Sequence, residues 1–172
     1  MRSIITILIF IFHSPFLFAD EKLNWSIPDG WKVGHQEGNM IELIKESETI
    51  GSWTRLITFQ QYEANEKTNG IAWIKMMEQG FAKGCKEVEL IPLRNGDQNG
   101  YEIAHAILSC TTNKSNGKGE IYQVKTIKGK TRFYVVQYAY RVPPFEKGSL
   151  PLEKEEVDKT INYISQLLIV GS

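Results

Sequence analysis

The chain of 172 residues carries 20 Lys and Arg against 20 Asp and Glu, which gives a formal net charge of +0 at pH 7. This balance lacks the basic excess of nucleic-acid-binding domains and of polybasic membrane anchors, so we expect no nucleic-acid partner. With 42% hydrophobic and 23% charged residues, the composition also excludes a disordered chain.

The first 19 residues have the parts of a secretory signal peptide. Arg2 supplies a positive start, residues 4–12 (IITILIFIF) form an apolar core, and Leu17 and Ala19 precede the expected cleavage site. An uncleaved anchor is the alternative, but Pro15 interrupts the apolar run, and a membrane span needs about 20 residues. We therefore predict cleavage near Ala19 and a single exported domain of residues 20–172, periplasmic or extracellular, without a transmembrane segment.

The first part of this domain is predicted to form strands. Short strands are expected at Trp25–Ile27, Trp31–His35 and Met40–Ile44, followed by a longer one at Trp53–Phe59 that is rich in β-branched and aromatic residues. The sequence Pro28-Asp29-Gly30 between the first two strands is a turn signal.

A helix follows these strands. Thr68 or Asn69 can cap its start, apolar residues recur at helical spacing, and Gly84 fits a left-handed C-cap. The apolar positions are Ile71, Ile74, Met77 and Phe81, and Trp73 and Met76 widen the stripe. Core packing is the favoured interpretation, with an adaptable binding surface as the alternative.

Four more strands are expected at 85–92, 101–110, 120–128 and 131–142. Apolar side chains occupy both faces of the last strand, which predicts a central position in a sheet covered on two sides. Residues 94–100 are expected to form the turn between the first two of these strands.

The only two cysteines, Cys85 and Cys110, lie on this predicted hairpin. In the expected register they face each other at a Cα separation of about 4.5–5.5 Å, within reach of a disulfide. An oxidising compartment favours the bond, so we predict a structural disulfide. Two separate buried thiols or a redox-active pair stay open as alternatives.

A closing helix is predicted after Pro151, with Val157, Ile161, Ile164 and Leu168 on one face and Gly171 at its end. Glu155 and Lys159 are expected to pair on its exposed side. The fold class is therefore α+β, an antiparallel β-sheet with helices packed on its faces.

Catalytic and metal-binding patterns are incomplete in this sequence. His105 follows the apolar face of a strand and is expected to be a hydrogen-bonded core residue, with a functional base as the alternative. His35 is expected at a solvated strand end. Residues 95–100 (NGDQNG) resemble the first half of a calcium loop, but the twelfth position is Ala106 rather than an acid, so a polar turn is favoured. We predict no catalytic, cofactor or metal residues.

The P-x-G-W sequence at Pro28–Trp31 and the order of elements after it resemble the PsbP-like α/β sandwich superfamily, which includes many exported bacterial proteins. The resemblance covers most of residues 22–170. It implies an antiparallel sheet between helices that serves as a docking or assembly module, and it transfers no catalytic residues. The cysteine pair does not belong to this pattern.

These observations favour a non-enzymatic exported protein that binds another protein or a component of the cell envelope. The loops at 95–100, 111–119 and 143–149 are the expected contact surfaces. The alternatives are an exported hydrolase, with His105 beside Tyr101 or Glu102 as its first candidate site, and a secreted effector.

Overall fold

The computed structural model describes residues 21–171, and the predicted signal peptide at residues 1–19 lies outside them. Nine strands and two helices follow one another along this part of the chain. Their bounds are β1 Lys22–Asn24, β2 Trp31–Glu37, β3 Met40–Lys45, β4 Arg55–Glu63, α1 Gly70–Gly84, β5 Val88–Gln98, β6 Tyr101–Cys110, β7 Gly119–Lys128, β8 Arg132–Val142, α2 Lys154–Ser165 and β9 Leu168–Val170.

Seven strands form one antiparallel sheet in the order β2-β3-β4-β8-β7-β6-β5, and β1 and β9 form a separate two-stranded ribbon. Helix α1 packs on one face of the sheet against β5, β6 and β7, while α2 packs on the other face against β7 and β8. We call these the α1 face and the α2 face. The α+β class predicted from the sequence is confirmed, and β8 occupies the expected central position.

Period-2 alternation along the strands fills the cores on both faces. On the α1 face, Ile74 of the helix packs against a buried set from the sheet: Ala104, Ala106, Val124, Phe133 and Val135. On the α2 face, a separate buried set extends under the helix and the ribbon: Trp31, Leu43, Ile57, Phe59, Val136 and Leu167. Because both faces are covered, the central strands are apolar on both sides.

The start of α1 agrees with the sequence prediction, but its end does not. The Asn69 side chain accepts a hydrogen bond from the Ala72 amide and caps the helix. Gly84 does not adopt a left-handed conformation, because the chain passes directly into extended backbone at Cys85. The outer position Ile71 is 39% exposed, so the buried stripe is narrower than predicted.

The predictions at the two ends of the domain were wrong in related ways. Helix α2 ends at Ser165, and the residues Leu168–Val170, which were expected to continue it, form the strand β9. This strand pairs with β1, which lies at Lys22–Asn24 and not at the predicted Trp25–Ile27. Trp25 instead stacks on Phe59, at 4.3 Å between ring centroids. On the helix surface, Lys154 pairs with Asp158, whereas no ion pair joins Glu155 to Lys159 among the residues described.

The hairpin of β5 and β6 also differs from its prediction. Strand β5 runs on to Gln98, and the turn is the two-residue Asn99–Gly100, with φ of 56° and 82°. Positive φ at both central residues is typical of the tight hairpin turns that the dipeptide Asn-Gly favours. A bulge between Pro92 and Arg94 shifts the register further.

The register shift changes the setting of the two cysteines. Cys110 lies opposite Val88, and Cys85 lies opposite Asn113. The cysteines are therefore not direct cross-strand partners, contrary to the expectation. Their Sγ atoms nevertheless lie at the bonding distance of 2.06 Å, with 5.5 Å between Cα atoms, so the bond ties the end of α1 to β6.

A buried lysine holds α2 against the sheet. Lys125 of β7 is 1% exposed, and its ammonium donates to the carbonyl oxygens of Ile164, Ser165 and Leu167 and to the side chain of Gln98. Carbonyl groups at a helix C-terminus have no partner within the helix, and a cation there also interacts favourably with the helix dipole. Burial, and secondarily the charge of Arg94, lowers the pKa of Lys125 to about 8.

Within residues 21–171, no helix is both long enough and apolar enough to cross a membrane.

Candidate ligand-binding cleft

A cleft of about 350 Å³ opens on the α2 face, between α2 and the strands β2, β3 and β4. Cross-strand pairing brings its sheet residues together: Trp31 lies opposite Lys45, and Ile57 lies opposite Tyr138. Directly opposed residues in an antiparallel pair point to the same face. The register of four strands therefore builds the floor of the cleft, and α2 builds its wall.

The turn before β2 sets the position of Trp31. The Trp31 amide donates to the Pro28 carbonyl at 3.1 Å. Gly30 has a φ of 76°, a backbone conformation that residues with a side chain rarely adopt. The Pro28–Trp31 sequence therefore has a local structural role, because its turn delivers the indole to the edge of the cleft. Asp29, the second residue of the turn, lines the same cleft.

The ammonium of Lys45 is the notable charge of the cleft. It lies 4.2 Å from the centroid of the Trp31 ring, a distance suited to a cation–π contact. Among the described residues, no carboxylate lies within 4.0 Å of it. Burial is the main effect that lowers the pKa of Lys45. The positive charges of Arg55 and Lys159 also lower it, and the negative charge of Glu48 opposes them.

The other half-buried cation of the cleft, Arg55, is neutralised. Arg55 donates from Nε to Oε1 of Glu156 at 2.9 Å and reaches the same oxygen from its terminal nitrogen at 2.5 Å. Its guanidinium also lies over the ring of Tyr140, 4.6 Å from the centroid. Lys159, one helical turn after Glu156 on α2, is exposed at the rim of the cleft.

Two tyrosines supply the aromatic wall that stays partly exposed. Tyr138 packs edge to face on Trp31, at 5.6 Å between centroids, and on Tyr163, at 6.4 Å. Burial, followed by the neighbouring Tyr140, raises the pKa of Tyr138, and burial raises that of Tyr163 to about 12. The Tyr163 hydroxyl is buried and has no hydrogen-bond partner among residues 21–171.

A larger groove of about 740 Å³ lies between β1 and the β2–β3 hairpin. Its buried acid is already engaged: the Glu21 carboxylate accepts from the amides of Lys130 and Thr131, and backbone hydrogen bonds to this turn lower the pKa of Glu21 against the opposing effect of burial. We therefore take the smaller cleft as the candidate site.

The loops expected to form contact surfaces do not line this cleft. In the β5–β6 turn, the Asp97 carboxylate accepts the Gly100 amide at 2.9 Å, which fits the polar-turn interpretation of residues 95–100. The other two loops contact each other, where the Phe145 amide donates to the Thr111 carbonyl at 3.1 Å. Within the described part of the chain, no group of three or more His, Cys, Asp or Glu side chains is placed to hold a metal ion.

His105 lies in the core, as expected, with 6% of its surface exposed. Its Nε2 has no hydrogen-bond partner within the described chain, although a bonded histidine was predicted. Burial, and then the charge of the cross-strand neighbour Lys125, lowers the pKa of His105 to about 4. His35 is half-exposed and lies 3.5 Å from Glu37.

Sequence reasoning missed the cleft, although part of its signal is visible in the sequence. Along β3, Ile41, Leu43 and Lys45 share one face, so a lysine occupies the end of an otherwise apolar stripe. Arg55 starts β4 in the same way, ahead of Ile57 and Phe59. A cation on a buried face is costly unless it has a partner or a function.

No protein-family profile and no curated protein matches this sequence. Among solved structures, the chain is similar to LpqN of Mycobacterium tuberculosis, described as involved in cell envelope biogenesis, with 10% sequence identity over 92% of this chain and 87% of that one and a TM-score of 0.52. It also matches the Ran-binding protein Mog1p of Saccharomyces cerevisiae, with 17% identity over 84% and 82% of the two chains and a TM-score of 0.49. The similarity to LpqN shows a shared α+β sandwich fold.

Proposed function

We propose that this chain is an exported, non-enzymatic binding protein of the PsbP-like sandwich type, which holds a component of the cell envelope or its surroundings in the cleft between α2 and β2–β4. The pattern of residues 1–19, the turn at Pro28–Trp31 and the shared fold with the envelope protein LpqN support the proposal.

One observation carries the assignment of the site, the unneutralised ammonium of Lys45 beside Trp31. A partly desolvated cation without a carboxylate partner costs free energy in the free protein. Clefts with apolar walls and a few convergent polar groups are typical binding sites. A ligand that neutralises Lys45 would offset this cost. A lysine with a purely structural role would instead have a partner within the protein.

Site-specific photo-crosslinking in the producing cells tests this proposal. A benzophenone amino acid replaces Pro28 at the edge of the cleft in one variant and Ile27, which is 46% exposed and does not line the cleft, in the matched control. The backbone carbonyl of position 28, which accepts the Trp31 amide, is kept in this variant. We expect a discrete adduct by intact-mass analysis at position 28 that is absent at position 27. Equal labelling at both positions, or no adduct at position 28, would refute a ligand in this cleft.

A further inference from the structure

We propose that the ligand of this cleft is an acidic sugar, whose carboxylate or phosphate oxygens bind Lys45 and Lys159 while its ring packs against Tyr138 and Tyr163. This inference rests on the proposed function, because it names the chemical class that the same cleft would accept.

The charges that line the cleft favour an anion. Three cations face two carboxylates, and the contact of Arg55 with Glu156 removes one charge of each sign. Lys45 and Lys159 then remain against Asp29, which is exposed on the turn. The positive charge of Lys159 is also close enough to lower the pKa of Lys45. An oxyanion placed between them would relieve that repulsion and could accept hydrogen bonds from both ammonium groups.

The carboxylates favour a ligand that also has hydroxyl groups. Only Oε1 of Glu156 receives the bonds from Arg55, and Asp29 makes no ion pair within the described residues. Carboxylate oxygens only accept hydrogen bonds, so a simple inorganic anion offers them no partner, whereas the hydroxyl groups of a sugar can donate to them. Both acids line the cleft together with the two lysines.

The remaining walls suit the apolar face of a sugar ring. Tyr138 and Tyr163 are partly exposed along the cleft, and Ile57 on its floor is fully buried. Trp31 is 7% exposed and lies under Lys45, so it positions the cation rather than contacting the ring directly. A volume of about 350 Å³ lies at the small end of ligand pockets, which fits one or two sugar units better than a long chain.

Calorimetric titration tests this inference. It uses the full protein in the form in which the producing cells make and process it. The probes are glucose 6-phosphate, glucuronate and glucose, which share a pyranose ring and differ in the charged group. We expect at least one of the two anions to bind ten-fold or more tightly than glucose. The tighter anion then identifies phosphate or carboxylate as the preferred group. Equal affinity for all three probes, or no binding of either anion, would overturn the inference.

Two lysine variants connect the binding to the cleft. Lys45→Met should weaken binding of the preferred anion ten-fold or more. Lys32→Met is the matched control, because Lys32 neighbours Trp31 in the chain but faces the other side of the sheet, where it donates to the Glu46 carbonyl. Unchanged affinity in Lys45→Met, or an equal loss in both variants, would contradict the assignment.

The two proposals can fail separately. A crosslink at position 28 that persists in cells carrying Lys45→Met would leave a ligand in the cleft and exclude an oxyanion as its anchor. A missing crosslink at position 28 would instead remove the proposed function itself.

Discussion

Within residues 21–171, two pairs place a cation over a tryptophan, one on each face of the sheet. On the α1 face, the Arg141 guanidinium lies 3.8 Å from the centroid of Trp53, and on the α2 face, the Lys45 ammonium lies 4.2 Å from that of Trp31. Each pair borders a cleft, of about 390 Å³ and 350 Å³ respectively. The two sites therefore have the same basic arrangement and similar volumes.

They differ in how the charge is balanced. Arg141 donates to Oε1 of Glu120 at 3.1 Å, and this carboxylate is 4% exposed. Glu120 also accepts hydrogen bonds from Tyr122 at 2.9 Å and from Asn113 and Asn116 at 3.2 Å each. Lys45 has no such partner in residues 21–171. The Arg141 network is therefore a closed structural element, while Lys45 lacks the carboxylate partner whose place the proposed ligand would take.

Removing the acid of the closed network should have the largest effect on stability. Glu120→Leu leaves the charge of Arg141 partly buried without its partner, and we expect the free energy of unfolding to fall by about 4 kcal/mol. Urea denaturation at neutral pH measures the change. A loss below about 1 kcal/mol would mean that the network is not structural, and the contrast with Lys45 would disappear.

The next largest effect on stability should come from His105, a buried residue on the α2 face, and it should appear as a pH dependence of the free energy of unfolding. The pKa of His105 is lowered to about 4 from an ordinary value of 6.5, so the unfolded chain takes up a proton before the folded one as the pH falls. Stability is therefore lost between pH 6.5 and pH 4, by about 3 kcal/mol at about 1.4 kcal/mol per pKa unit. Because carboxylates titrate in the same range, the measured quantity is the difference between the wild type and His105→Gln. Parallel stability curves for the two proteins would show that His105 is not buried as described.

The smallest effect is expected at Lys45. Lys45→Met should change the free energy of unfolding by no more than about 0.5 kcal/mol, because it removes a partly desolvated cation with no ion pair to break. Arg141→Met is the matched variant and should cost about 2 kcal/mol, since it removes a charged hydrogen bond to a buried acid. Equal losses in the two variants, measured by the same denaturation, would contradict the division into an open and a closed site.

The parts of the fold that the sequence predicted are those with local signals. Asn69 caps α1, and the two apolar faces of 131–142 correctly indicated a central strand. The end of α2 was missed because Leu168 continues the helical apolar spacing, while the strand Leu168–Val170 exists only through its pairing with Lys22–Asn24 at the other end of the chain. Local periodicity does not contain that long-range contact.

The candidate site was missed for a similar reason. Lys45 and Arg55 are visible as cations on apolar strand faces. Their convergence with Tyr138, however, depends on the pairing of β4 with β8, two strands that lie far apart in the sequence. The β5–β6 register was missed differently. Its Asn99–Gly100 turn signal is present in the sequence, and the bulge beside Leu93 is marked only by Pro92, since strands tolerate proline at edges and bulges.

The most direct test of the central claim is the pKa of Lys45, followed by NMR at its ε position with and without a saturating amount of glucose 6-phosphate or glucuronate, whichever binds more tightly. In the free protein this pKa lies below the ordinary value of lysine. A bound oxyanion favours the charged ammonium, so the pKa of Lys45 should rise on binding. A pKa that stays unchanged or falls when the ligand is bound would contradict the account.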